Sequence, residues 1–112
     1  MPHTIEHDAI EHGHLVAASG ELDLAATPEL STILLMAAEA PGTTVVLDLA
    51  DVEFIDSTAL GTILKAGSEI ESAGKTLRVV CPGGPVRRLL EMTNLTNRFE
   101  LCPSREVALT GA

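Results

Sequence analysis

The sequence contains no tryptophan and no tyrosine, and its 112 residues include only two phenylalanines, Phe54 and Phe99. That scarcity excludes an aromatic platform for stacking the bases of single-stranded nucleic acid. No apolar run approaches the ~20 residues needed to span a bilayer. The amino-terminal stretch Met1-Pro2-His3-Thr4-Ile5-Glu6-His7-Asp8 is polar and acidic, unlike the basic start and apolar core of a secretory signal. A cytoplasmic location away from membranes is therefore expected. Cys81 and Cys102 are the only cysteines. They form no Cys-x-x-Cys arrangement, so they read as two free, buried thiols in a reducing compartment. Basic residues are missing from one half altogether. Residues 1–56 hold eleven Asp and Glu and no Lys or Arg, whereas residues 57–112 hold seven basic and five acidic residues. An acidic half repels phosphate backbones and anionic lipid, which argues against nucleic-acid and membrane partners. A basic protein partner, or one carrying Mg-nucleotide, suits it better; the same charge also serves solubility.

With 46% hydrophobic and 21% charged residues, the chain has the composition of one globular domain covering 1–112. Short apolar runs alternate with helical patterns. Residues 3–7 and 14–20 read as strands joined by a hairpin-type turn at His12-Gly13. Gly20-Glu21-Leu22-Asp23-Leu24 reads as a polar turn. A helix follows, with Thr27 as N-cap, Pro28 at its first position, Leu30, Ile33, Leu34 and Ala37 facing inward, and Pro41-Gly42 as its stop. Val45-Val46-Leu47-Asp48-Leu49 reads as a central strand, apolar on nearly every position. A loop over 50–56 then leads into a helix over 57–72 that buries Leu60, Ile63, Leu64, Gly67 and Ile70. Thr76 to Cys81 is a strand, and Pro82-Gly83-Gly84-Pro85 turns into a helix burying Val86, Leu89, Leu90 and Met92. A strand at 98–102 and a helix from Ser104 finish the chain. The order β-β-α-β-α-β-α-β-α predicts an α/β fold: a mixed, mostly parallel sheet of four or five strands with about four helices, its first strand antiparallel at an edge.

Ser57 is the residue of greatest interest. It stands where the central strand's exit gives way to an amphipathic helix, among small residues and at the positive end of a helix dipole. A phosphate there would be tolerated by the fold and felt by a partner. The outward face of that helix carries Ser57, Thr58, Gly61, Thr62, Lys65, Ser68 and Glu69. An exposed glycine inside a helix costs about 1 kcal/mol relative to alanine, so Gly61 hints at close approach by another backbone. Other chemistries fit less well. Ser57 lacks the Gly-x-Ser-x-Gly elbow of a hydrolase nucleophile, and all four histidines lie within residues 1–14. Those histidines (His3, His7, His12, His14) have no Cys beside them, and the acidic residues nearby read as a solvated edge, so a metal site is the weaker reading. Ala73-Gly74-Lys75-Thr76 resembles the end of a phosphate loop but joins helix to strand, the wrong order. Gly83-Gly84 before Arg87 and Arg88 is a weak anion signal. Asp56 fits a cap better than a general base. No enzyme activity, metal or cofactor is expected.

Phe54-Ile55-Asp56-Ser57-Thr58-Ala59-Leu60-Gly61 resembles the Asp-Ser-[Ser/Thr]-[Gly/Ala]-Leu-Gly signature of STAS domains, specifically the bacterial anti-sigma factor antagonists. Gly20-Glu21-Leu22-Asp23 resembles that family's Gly-Glu-Leu-Asp turn, at the expected separation, and the likeness runs from about residue 4 to 110. The resemblance implies a protein that binds an anti-sigma factor serine kinase, releasing the sigma factor. Phosphorylation of the serine after the Asp, here Ser57, would switch binding off, and a phosphatase would restore it. Thr58, in place of the family's serine, is a second phosphoacceptor candidate. Glu21, Asp23, Asp56, Ser57, Thr58, Gly61, Thr62 and Lys65 are the implied partner-facing residues. Two other classes stay open: a STAS regulatory subunit of a lipid or anion transporter, and a stressosome-like scaffold, both without the phosphoswitch. Self-association is left open.

Overall fold

The computed structural model describes residues 2–110. Five strands form one sheet in the order β1-β2-β3-β4-β5: β1 His3–Ile10, β2 Gly13–Leu22, β3 Thr44–Ile55, β4 Thr76–Val80 and β5 Glu100–Cys102. The helices are α1 Thr27–Glu39, α2 Ser57–Ser72, α3 Gly84–Met92 and α4 Arg105–Leu109, and a single 3₁₀ turn, Leu24–Ala26, precedes α1. β1 pairs antiparallel with β2, while β2 through β5 are mutually parallel. Order and class are those the alternating pattern predicts.

The main core lies on one face of the sheet, where Leu30 and Leu34 of α1, Leu60, Ile63 and Ile70 of α2, and Val86 and Leu90 of α3 pack onto Val16, Val45, Leu47, Val79 and Ile55. A smaller core of Val46, Val80, Cys102 and Ala108 joins the opposite face to α4. β3 therefore carries apolar side chains on both faces, as a covered central strand must. Val80 is paired with Cys102 across β4 and β5. Cys81, next along the chain, belongs to the other face, so the two thiols point away from one another. Both are free and buried, and burial pushes both thiols above their ordinary pKa. They are packing residues.

Several boundaries differ from the sequence reading. The expected loop over 50–56 is strand through Ile55, because β3 outruns β4 and continues beside β2 alone: Asp51 pairs with Ser19, Val52 with Gly20, Phe54 with Glu21 and Leu22 with Ile55. Two register shifts in this stretch bend the ladder and break the polar–apolar alternation that would have marked it. For the same reason Gly20-Glu21-Leu22 is strand rather than turn. β1 extends to Ile10, and the hairpin turns at Glu11-His12, leaving Gly13 in β2. Thr27 is not the cap of α1. The 3₁₀ turn makes Ala26 the preceding residue, and the Thr27 hydroxyl donates to Leu24 O at 2.8 Å. Met92, expected inside, is 80% exposed in the last turn of α3, where the helix has passed the edge of the core.

Candidate functional site

The two sequence motifs meet because β2 and β3 run parallel and stay paired, through two register shifts, to their carboxyl ends. Leu22 faces Ile55, so both chains leave the sheet at the same end. An Asp terminates each strand. Asp23 accepts a hydrogen bond from Ala25 N at 3.1 Å and starts the 3₁₀ turn. Asp56 accepts one from Ala59 N at 2.8 Å and caps α2. The Asp56 amide also donates to Leu22 O at 3.1 Å, fastening the head of α2 to the end of β2. Gly20 opens this rim with φ +82°, and an added Cβ would lie 2.4 Å from Pro2 O; only glycine satisfies both constraints. Carboxyl ends of adjacent parallel strands are where open α/β sheets place their functional groups.

Ser57 is the first residue of α2 and is exposed. Since Asp56 supplies the cap, the serine hydroxyl is not consumed by that task. The amides of the helix's first residues have no intrahelical acceptor, and they carry the positive end of the dipole. Thr58 is exposed beside it. The rim thus gathers Glu21, Asp23, Asp56, Ser57 and Thr58. Gly61, Thr62 and Lys65 follow down α2; Gly61 has nothing within 4 Å of an added Cβ. The Thr62 hydroxyl is turned back onto Thr58 O at 3.2 Å, a local bond common in helices. Lys65 lies two turns below Ser57, about 12 Å along the axis, beside a groove shared with Leu35, Ala38 and Glu39.

Two residues at this rim escaped the sequence reading. Leu24 is 67% and Phe54 47% exposed. Leu24 looked like part of a polar turn and Phe54 like part of a loop; the one available signal was Phe54's standing as one of two aromatics.

The remaining polar clusters are occupied locally. Lys75 donates to Ala37 O and Ala40 O at the end of α1, so the phosphate-loop-like stretch is a helix C-cap. His3 Nε2 lies 2.8 Å from Glu29 Oε1. His7 Nδ1 and His14 Nε2 are 3.1 Å apart with their rings stacked. Burial and the neighbouring His7 lower the pKa of His14, opposed by Asp8. Among the described residues no group of three or more His, Cys, Asp and Glu is arranged to hold a metal ion, and no helix is long and apolar enough to cross a membrane.

The STAS domain family model matches residues 4–108. The chain belongs to the STAS domain family. This STAS domain is 29% identical over 104 residues to an anti-sigma-B factor antagonist of Staphylococcus epidermidis, covering 93% of this chain and 94% of that one. Among solved structures it superposes on an anti-sigma factor antagonist from Mycobacterium paratuberculosis with a TM-score of 0.87 and 27% identity, over 97% and 92% of the two chains. The fold also matches the Bacillus cell fate determinant SpoIIAA in its phosphorylated form, with a TM-score of 0.72 and 19% identity over 92% and 94%. That last likeness is one of fold alone.

Proposed function

We propose that this STAS domain is an anti-sigma factor antagonist governed by phosphorylation at Ser57. Unphosphorylated, it binds an anti-sigma factor that is a serine kinase, and so releases the sigma factor. The kinase transfers the γ-phosphoryl group of ATP to Ser57 Oγ, with loss of the hydroxyl proton and release of ADP. A serine phosphatase later hydrolyses the ester. The domain itself contributes no catalytic residue.

The reading is carried by one observation: an exposed serine heads α2 while its neighbour Asp56 makes the cap. The names of the relatives support the same reading. A phosphoryl group adds about −1.5 to −2 charges. Inside the domain the helix head receives it favourably, by ~0.3–2 kcal/mol. At a docked interface the same group is desolvated beside Asp56 and the acids ending β2, which costs about 2–5 kcal/mol. The second effect is larger, so binding falls by a factor on the order of 10²–10³ while the fold persists.

The direct test is incubation with ATP and the anti-sigma factor kinase of the same organism, followed by mass spectrometry that separates Ser57 from Thr58. Phosphate on Ser57, absent from Ser57→Ala, is the expected result. Absence of any modification, or of any complex with that kinase, overturns the reading. A transporter-regulatory domain would instead form its complex with a transporter subunit.

A further inference from the structure

We infer that Leu24 and Phe54 are the apolar anchors with which the phosphoacceptor rim docks, and that the partner meets them with apolar pockets bordered by Lys and Arg. This rests on the function proposed above and names the chemistry of its interface.

Phe99, the other aromatic, is 8% exposed in the core, whereas Phe54 is 47% exposed three residues before Ser57. Its neighbour Ile55 and Val52 before it are both buried in the main core, while Phe54 is left uncovered where the register shifts interrupt the regular alternation at the end of β3. It sits across the ladder from Glu21. Leu24 is held out by a different device. Asp23 fixes the 3₁₀ turn, which buries Ala26 completely and leaves Leu24 67% exposed. The two side chains come from the neighbouring ends of β2 and β3, with Asp56 bonded to Leu22 between them. Large apolar side chains uncovered by the fold are the residue types that dominate interface affinity when they enter pockets.

The remaining large exposed apolar residues belong elsewhere. Leu35 and Met36 lie in the later turns of α1, Met92 ends α3, and Val107 and Leu109 lie on α4. Each of these helices follows the carboxyl end of a strand other than β3, so none of these residues lies on the segments that end at Asp23 and Asp56. The border of the rim decides the partner's charge. Glu21, Asp23, Asp51, Glu53 and Asp56 each lie within three residues of an anchor along the chain, and no Lys or Arg occurs in residues 1–56; Arg105, from α4, shares a pocket with Asp51 but pairs with Asp48. A basic margin is the complement of that border. It also explains why added phosphate could interfere without touching either anchor: it changes the electrostatics of the border and leaves the apolar contacts intact.

The test compares the full chain with Leu24→Ala, Phe54→Ala and Glu53→Gln by calorimetry against the anti-sigma factor kinase, at two salt concentrations. Thermal unfolding first confirms that each exposed-site variant keeps its stability. Both alanine variants are expected to lose at least tenfold in affinity, with the salt dependence of the unaltered chain. Glu53→Gln is expected to lose less affinity and to show a shallower salt dependence. A loss smaller than tenfold in either alanine variant, with the unaltered chain binding, overturns the anchors alone. A complex whose affinity is indifferent to salt overturns the basic margin. Failure of the unaltered chain to bind overturns the antagonist function itself, and the anchors with it.

Discussion

The two ends of the β2–β3 ladder share a pair of strands and little else. At the carboxyl end the head of α2 leaves room: Ser57 and Thr58 are exposed, and a methyl added at Gly61 meets nothing. At the amino end there is none. A Cβ on Gly13 would lie 1.7 Å from Thr44 O, and one on Gly42, whose φ is +113°, would lie 2.5 Å from Gly13 Cα. The amino end fixes the start of the pairing by backbone-to-backbone fit, and the same two strands, after two register shifts, bring motifs more than thirty residues apart to a common rim. Chemistry can be added at the rim because position is fixed at the other end.

The largest effect expected from breaking this contrast is at Ser57. Phosphorylation should weaken kinase binding by the 10²–10³-fold derived above, about 3–4 kcal/mol. Ser57→Asp should weaken it less, having one charge and a shorter reach, and Ser57→Ala should bind like the unaltered chain. Equal affinities for Ser57→Asp and Ser57→Ala in calorimetry would show that charge at the rim is not what the partner senses. Next is Gly13→Ala. Because the clashing atom is backbone, the strands must move apart, and the loss should reach about 3 kcal/mol, the upper end of overpacking costs. Chemical denaturation measures it. A loss below 1 kcal/mol would mean that the hairpin end yields and does not fix the register.

Substitutions at the rim should be milder. Asp56→Ala removes the side-chain cap of a sixteen-residue helix and should cost about 1 kcal/mol. Asp23→Ala should cost less, since Asp23 caps only a three-residue turn. If the order is reversed in thermal unfolding, the 3₁₀ turn matters more to the fold than α2's head. Gly61→Ala should gain about 0.5–1 kcal/mol of stability, the ordinary helix preference at an uncrowded site. If the same variant binds the kinase less tightly, the glycine is retained for backbone approach. Unchanged binding would reduce it to a tolerated residue.

The contrast also explains what the sequence reveals. α2 was legible because the spacing of Leu60, Ile63, Gly67 and Ile70 follows one helical face, and the mostly parallel sheet because strands and helices alternate. The final turns of β3 were not, since Ala50, Asp51, Glu53 and Phe54 all face solvent beside a bulged partner strand. Asp56 reads as a cap from its neighbours alone. Its junction with Leu22, and the uncovering of Leu24 and Phe54, depend on a pairing between distant strands. No local pattern encodes that. Thr27 shows the same limit on a smaller scale: its type suits an N-cap, but the 3₁₀ turn started by Asp23 moves the boundary one residue back.

The smallest expected effect lies at the crowded end, at His14. Its ring contacts His7 across the hairpin, with one nitrogen donating and the other accepting, an arrangement that needs at least one neutral imidazole. Burial, His7 and Lys75 all lower the pKa of His14 from its ordinary 6.5, and Asp8 only partly opposes them. The unfolded chain therefore takes up this proton before the folded chain does. Stability is retained above pH 6.5 and falls as pH drops below it, because protons then favour the unfolded state. His14→Phe keeps a ring beside His7 but removes the titration, so its stability should decline less steeply between pH 7 and pH 5 in parallel denaturation series. The difference between the two curves reports the loss of the His14 ring's titration together with its contact to His7. Superimposable slopes would show that the hairpin accommodates a charged imidazole, and that the crowding which excludes a methyl at Gly13 does not extend to the ring beside it.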